Sequence, residues 1–135
     1  YIKVTYCRPH KRNREIFGAL VPYGEVWRTG ANEATEITFT NDVKVDGNTV
    51  DAGTYTLFTI PGEDEWTIIL NKDLGQWGAY NYNKEKDLLR FEVPVEQTDE
   101  PYEAFTMEFQ LQDDKTDLLM MWDDVKVRIP IEFID

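Results

Sequence analysis

The sequence contains no serine, and it has a single cysteine and a single histidine. The absence of serine excludes every mechanism that needs a serine nucleophile. The lone Cys7 cannot form a disulfide within the chain, and the lone His10 excludes a metal centre built from several histidines of one chain. In extended backbone Cys7 and His10 point to opposite faces, so a Cys–His nucleophilic pair is geometrically poor.

Acidic residues greatly outnumber basic ones. The chain has 26 Asp and Glu against 14 Lys and Arg, a formal net charge of -12 over 135 residues. Such a protein repels phosphate backbones, so we expect no nucleic-acid partner. No apolar run approaches the roughly 20 residues that cross a bilayer, so we expect no transmembrane segment. The length and the 41% hydrophobic content suit one globular domain, placed at residues 1–135.

Hydrophobic and polar residues alternate along much of the chain, most clearly at 89–95, 105–111 and 125–133. Because successive strand side chains point to opposite faces, each segment predicts a strand with one buried face. Shorter strand-like segments lie at 2–7, 35–40, 43–45, 49–50, 54–60, 66–70 and 118–122. About eight or nine short strands predict an all-β fold, an antiparallel two-sheet β-sandwich of jelly-roll or immunoglobulin-like topology, with at most short helical turns in its loops.

Turn residues separate these segments. Asp46-Gly47-Asn48 predicts a tight hairpin, and Pro61-Gly62 predicts a turn in which Gly62 has a positive φ. Two long connections, 8–26 and 73–87, lack strand alternation, and either has room for a short helical turn. Long loops on a rigid sheet commonly carry binding residues, so we expect a functional site in this half of the chain.

Several irregular strings before residue 83 carry a family resemblance. They are Tyr6-Cys7-Arg8-Pro9, Ile16-Phe17-Gly18, Leu20-Val21-Pro22-Tyr23-Gly24, Val26-Trp27-Arg28-Thr29-Gly30-Ala31-Asn32-Glu33-Ala34-Thr35, Asp51-Ala52-Gly53-Thr54-Tyr55, Phe58-Thr59-Ile60-Pro61-Gly62, Leu70-Asn71-Lys72 and Gln76-Trp77-Gly78-Ala79-Tyr80. Together they resemble the bacterial family catalogued as domain of unknown function 2911, over most of the chain. The resemblance implies no activity and no catalytic residue. The family pattern has Ser at the Cys7 and His10 positions, so neither group is expected to be essential.

The same resemblance implies a location. Members of that family are typically found in Gram-negative bacteria with an N-terminal secretion or lipoprotein signal. We therefore expect an exported protein, periplasmic or in the cell envelope, from which a signal has been removed. The chain begins at Tyr1, without Met and inside a strand-like segment, which agrees with that expectation.

Arg28, Asn32 and Glu33 form the first candidate site, within one string that also contains Thr29 and Gly30. The N–H fork of Arg matches a carboxylate, and Asn and Glu bind hydroxyls, so the string can bind a small anion or a polyol. The structural alternative is an ion pair of Arg28 with Glu33, or with another acid, that locks a loop around Gly30.

Glycines, aromatics and amides alternate from Gly75 to Asn83 in a predicted loop. Sugar-binding loops use this mixture, because a sugar ring stacks on an aromatic face while its hydroxyls need amide partners. Trp77 and Tyr80 are the candidates for that contact. The structural alternative is that Trp77 and one tyrosine plug the end of the sandwich.

Charged clusters suggest further sites. A basic stretch could attract an anionic ligand or lipid headgroups, or else offset nearby acids, and it contains Arg8, Lys11, Arg12 and Arg14. Two acidic hairpins suggest calcium, with Asp42, Asp46, Asn48 and Asp51 in one and Asp113, Asp114 and Asp117 in the other. Neither matches the spacing of a calcium loop, and turn chemistry explains their Asp and Asn. We therefore predict no metal and no cofactor.

Three functional hypotheses follow. The favoured one is a non-catalytic binding or accessory module whose site combines Arg28, Asn32, Glu33, Trp77 and Tyr80 around a saccharide or small polar ligand. The second is a carboxylate-dependent enzyme in which Glu33 performs acid–base chemistry and Arg28 stabilises developing charge. The third is a structural envelope protein that binds a protein partner, for example through an edge strand. Whether the domain is an enzyme stays open at this point.

Overall fold

The computed structural model describes residues 1–134, in which nine strands form two antiparallel sheets. The first sheet has the order β1-β2-β5-β6-β7. Its strands are β1 Ile2–Thr5, β2 Glu36–Phe39, β5 Gly53–Ile60, β6 Glu65–Asn71 and β7 Asp87–Pro94. The second sheet has the order β4-β3-β9-β8, with β3 Val43–Val45, β4 Asn48–Val50, β8 Glu96–Gln112 and β9 Lys115–Phe133. The prediction of an antiparallel two-sheet sandwich is confirmed.

Strand β9 is not straight. Its 19 residues would reach about 60 Å if fully extended, yet the Phe133 N–H donates to the Asp114 carbonyl, just before the strand begins, at 2.9 Å. The strand therefore doubles back, and Asp123, its residue with a positive φ of 54°, marks the reversal. The Arg128 side chain joins the two arms by binding Asp117, 3.1 Å away. This reversal explains why the sequence predicted two separate strands here.

The two sheets enclose one main hydrophobic core, whose centre is aromatic. Trp27 and Trp122 stack with ring centroids 6.0 Å apart and an interplanar angle of 13°. Trp66 and Phe105 contact Trp27 edge-on, at 5.9 Å and 5.1 Å. Trp66 and Trp122 are almost fully buried. Such large side chains fix one packing arrangement, because edge-on and offset-stacked rings tolerate little displacement.

The predicted connections are confirmed in part. The β3–β4 hairpin turns at Asp46 and Gly47, both at positive φ. A single turn of 3-10 helix, Lys84–Lys86, lies in the second long connection. The expectation of a positive φ at Gly62 is wrong, because the φ of Gly62 does not lie in the left-handed region. Glycine is required there by close approach instead, since a Cβ would lie 2.5 Å from the Glu65 carbonyl oxygen. No helix within residues 1–134 is long and apolar enough to cross a membrane.

Candidate functional site

A cleft of about 780 Å³ opens beside the aromatic core, where the two long connections meet. Its lining residues come from the first connection, from the string that follows it, from the 79–82 loop and from β9; they are Pro9, Arg14, Leu20, Val21, Pro22, Glu25, Val26, Trp27, Arg28, Gly30, Ala31, Ala79, Tyr80, Tyr82 and Trp122. Cavities of roughly 300–1,000 Å³ are typical of small-molecule sites. The floor is the stacked Trp27–Trp122 pair, so it is apolar and held by the core.

Buried hydroxyl groups fix the backbone next to Arg28. Trp27 exchanges two backbone hydrogen bonds with Thr59 of β5. Thr29 has a φ of 59°, which is rare for a β-branched residue. Its hydroxyl donates to the Trp27 carbonyl at 3.2 Å and lies 3.1 Å from the Thr59 hydroxyl, while its carbonyl accepts from Thr35 at 2.6 Å. This network offsets the strain at Thr29, and strained backbone held in this way is common at functional sites.

The second loop is fastened to the first by main-chain bonds. The Ala34 N–H donates to the Gln76 carbonyl and the Gly78 N–H to the Asn32 carbonyl, each at 2.9 Å. Glu33 and Trp77 face each other across this short antiparallel bridge. The loop that carries Tyr80 is therefore tied to the string that carries Arg28, and both walls of the cleft are preorganised.

Tyr82 and Tyr80 contribute differently to the wall. The Tyr82 ring packs edge-on against Phe58, and its hydroxyl donates to Asp87 and accepts from Arg90. Burial, together with the hydrogen bond to Asp87, raises the pKa of Tyr82 above its ordinary value of 10.0. Tyr80 is 82% exposed, so its ring face is available to a ligand.

The Arg28 side chain is half-buried and forms no hydrogen bond or ion pair with the described residues, 1–134. Its Nε is withdrawn from solvent and has no hydrogen-bond acceptor within residues 1–134. The ion pair with Glu33 that the sequence allowed is not formed, nor is one with any other acid in the described part of the chain. An unsatisfied buried donor costs about 1–3 kcal/mol. A carboxylate that displaces the atoms covering Nε and accepts its hydrogen would recover that free energy.

The charge of the cleft differs from that of the whole protein. Arg14 also lines it, and its guanidinium is held by the carbonyls of His10 and Lys11, at 2.7 Å and 3.0 Å, which leave its charge in place. Glu25 is the acid among the lining residues. Two arginines and one glutamate give a local charge of +1 in a chain of -12.

Four of the five predicted site residues fall into two cavities, two in each. Arg28 and Tyr80 line the main cleft. Glu33 and Trp77 line a neighbouring cavity of about 220 Å³ together with Cys7. Asn32 lines neither of them, and its carbonyl accepts the Gly78 N–H of the loop bridge. Trp77 is 60% exposed, so it does not plug the end of the sandwich.

The remaining charged clusters have structural partners. Lys11 forms an ion pair with Asp123 at 2.9 Å, and Arg8 donates to the Phe105 carbonyl at 3.3 Å. Within residues 1–134 no group of three or more His, Cys, Asp or Glu side chains is arranged to hold a metal ion. Asp42, in the first acidic hairpin, accepts the Ala52 N–H at 2.8 Å, a bond that joins the two ends of the β3–β4 hairpin. Arg8, Lys11 and this hairpin thus have partners within the protein.

The comparisons with known proteins agree with the resemblance seen in the sequence. A family model described as "Protein of unknown function (DUF2911)" matches residues 1–131. The chain belongs to this family. No curated protein and no solved structure matches the chain. The match establishes membership, and it assigns no function to this DUF2911 domain.

Sequence reasoning assigned only Arg28 and Tyr80 to the cleft, and the lining residues that it missed include Arg14, Trp27, Tyr82 and Trp122. Arg14 was visible as part of a basic stretch, but its proximity to Arg28 depends on how the first connection folds. Trp27 and Trp122 are 95 positions apart in the chain and stack only in the assembled core. The one signal available was the Trp next to Arg28 in the most specific string of the sequence.

Proposed function

We propose that this protein is an exported, non-catalytic binding module that holds a small polar molecule carrying a ring, such as a saccharide, in the cleft between Arg28 and Tyr80. One observation carries the proposal: an exposed aromatic face lines the same preorganised cleft as a guanidinium whose Nε has no acceptor within residues 1–134, over an apolar floor. A sugar ring presents an apolar face to an aromatic and polar groups to hydrogen-bonding side chains. Export is proposed from the family resemblance.

A binding role is favoured over carboxylate-dependent catalysis by the placement of the acids. Glu33, the proposed acid–base residue, lines the smaller cavity, whereas Arg28 lines the cleft. A general base must lie within hydrogen-bond reach of the group from which it takes a proton. Glu25 is the carboxylate that lines the cleft, and it is solvent-exposed and belongs to no ion pair among the described residues.

A glycan and metabolite array, followed by calorimetry on the hits, tests this proposal. We expect Tyr80→Ala to weaken binding at least about fivefold, since stacking of a ring on an aromatic is worth about 1–3 kcal/mol where it has been measured on bases. Trp77→Ala is the matched control, because it removes an exposed aromatic from the neighbouring cavity. If wild type and Tyr80→Ala bind the ligand equally and Trp77→Ala binds it more weakly, the ligand site is the neighbouring cavity and not the cleft. An array without hits would contradict the proposal.

A second candidate function is addition of a partner's strand to the edge of β8. The Phe105 and Met107 N–H groups on this edge bond to the Pro9 carbonyl and the Tyr6 hydroxyl. By alternation the N–H groups of Phe109 and Leu111 point the same way, and these side chains are 39% and 73% exposed. An extended segment of an envelope protein, apolar at alternate positions and net positive, would fit this edge of an acidic chain.

Pull-down of an identified envelope partner separates the two candidates. If the partner adds a strand to β8, the Tyr80→Ala variant should still pull down the partner and the Leu111→Lys variant should not. Retention by the Leu111→Lys variant would contradict strand addition at β8. Circular dichroism of both variants provides the control, because each substitution lies at an exposed position and should leave the strand content unchanged.

A further inference from the structure

We propose that the ligand of the cleft is an anion, a carboxylate-bearing ring compound such as an acidic sugar, and that Arg28 is its anchor; this inference rests on the proposed function. Arg28 has hydrogen-bonding capacity that the described residues do not use. The chain has more acids than bases, and Arg90 and Arg128 have carboxylate partners. Arg28 has none within residues 1–134, although its Nε is buried.

The charge of the cleft favours an anionic ligand over a neutral or cationic one. A net charge of -12 repels anions over the whole surface, yet the charged lining of the cleft sums to +1. A cavity of similar size, about 830 Å³, lies elsewhere and is lined by four acids and two bases: Asp99, Glu100, Glu103 and Glu108 with Arg8 and Lys126. The Arg28 cleft is therefore the large cavity whose field suits an anion.

The backbone beside Arg28 is preorganised. Guanidinium binds carboxylate best as a fork, with two parallel N–H···O bonds, and that geometry requires a fixed Arg backbone. The residue after Arg28 is strained at a φ of 59° and is held by hydroxyl bonds to Trp27 and Thr59. Thr29 is thus a positioning residue for Arg28. Arg14, with its guanidinium tied to main-chain carbonyls, adds a second positive charge at the same cleft.

Apo stability distinguishes an anchor from a structural arginine. Arg28→Met keeps the aliphatic stem and removes the buried donor that lacks an acceptor, so its unfolding midpoint in urea should equal or exceed that of wild type. Arg128→Gln is the matched control, because it removes an arginine that is paired with Glu96 and Asp117. It should lower the midpoint. A midpoint that falls as far in Arg28→Met as in Arg128→Gln would overturn the anchor role.

Binding is tested with two acid–neutral pairs, glucuronate against glucose and benzoate against benzamide, followed by NMR shifts of backbone amides around the cleft. Wild type should bind each acid at least tenfold more tightly than its neutral partner, and Arg28→Gln should abolish the difference. Arg28→Lys should restore only part of it, since ammonium lacks the fork. Equal binding of acid and neutral partners would overturn the anion inference and leave the binding module standing. No shift with any probe would count against both.

Discussion

The hydroxyl oxygens of Thr29 and Thr59 lie 3.1 Å apart in a fully buried position, and this contact ties the loop that carries Arg28 to strand β5. Thr29 also donates to the Trp27 carbonyl at 3.2 Å while its backbone stays left-handed. A turn of this kind would ordinarily use Gly or Asn. The chain uses a threonine whose side chain closes the turn, so the backbone next to Arg28 is held by two buried hydroxyls.

Replacing Thr29 by Val should therefore weaken both folding and binding. The substitution keeps the shape and the unfavourable φ but removes the hydroxyl, so we expect a loss of about 1–3 kcal/mol in the free energy of unfolding. Urea denaturation measures the loss. Thr38→Val is the control, since Thr38 and Thr54 form a similar pair in a half-buried position. It should cost less than about 1 kcal/mol, because water can replace that partner. Equal losses would contradict a special role for the Thr29 hydroxyl.

The four tryptophans should differ sharply in their contribution to stability. Trp122 is 2% exposed and donates from Nε1 to the Glu103 carbonyl at 3.0 Å. Trp122→Ala should lower the free energy of unfolding by about 3–5 kcal/mol. Trp77 is 60% exposed, so Trp77→Ala should stay within about 0.5 kcal/mol of wild type. Chemical denaturation should be monitored by circular dichroism, because each substitution removes a tryptophan and so changes the fluorescence signal itself. A large loss in Trp77→Ala would show that the 75–83 loop supports the core.

Gly62 should not tolerate a side chain, for a steric reason. A Cβ there would lie 2.5 Å from the Glu65 carbonyl oxygen, and φ is not left-handed. Gly62→Asn should lower the free energy of unfolding by about 1–3 kcal/mol or more. Gly47→Asn is the matched control, because its φ of 80° suits Asn and no atom lies within 4 Å of its Cβ position. Thermal unfolding should rank the two variants in that order, and the reverse order would contradict the close approach at Gly62.

The Glu96–Arg128 ion pair should make stability depend on acidic pH. Its hydrogen bond to Arg128, at 2.7 Å, lowers the pKa of Glu96 below its ordinary value of 4.5. A carboxyl with a lowered folded-state pKa stabilises the fold above its unfolded-state pKa, and that contribution disappears as pH falls through the folded-state value. The partners are about one-third exposed, so we expect at most about 1 kcal/mol. The gap between wild type and Glu96→Gln should be constant from pH 7 to about 5 and shrink below about 4.5. A gap that widens on acidification would contradict the ion pair.

The fold was largely predictable, because period-two alternation reports directly on which strand face is buried. Segments 43–45 and 49–50 became the β3–β4 hairpin, and 66–70 lies within β6. The reversal of β9 was harder to see. The sequence separated 118–122 from 125–133, but it gave no sign that the two segments are arms of one strand, β9, that reverses at Asp123.

The candidate site was only half predictable, since proximity between loops depends on tertiary contacts. The sequence predicted one site of five residues: Arg28, Asn32, Glu33, Trp77 and Tyr80. The bridge between Glu33 and Trp77 instead turns those two toward a separate cavity and leaves Arg28 and Tyr80 in the cleft. No spacing rule determines on which side of such a bridge a side chain emerges. The hydroxyls that hold Thr29 were equally hidden, because Thr59 lies 30 positions away.

The most direct test of the central claim is the side-chain resonance of Arg28 Nε–H in a proton–nitrogen NMR spectrum, recorded with glucuronate and then with glucose. Arg28→Lys removes the signal and assigns it. A buried Nε–H that gains a carboxylate acceptor should move downfield with glucuronate and stay in place with glucose, while the Arg128 Nε–H, already bound to Glu96 at 2.7 Å, should not respond. An Arg28 signal unmoved by glucuronate at saturation of the cleft amides would contradict Arg28 as the anchor.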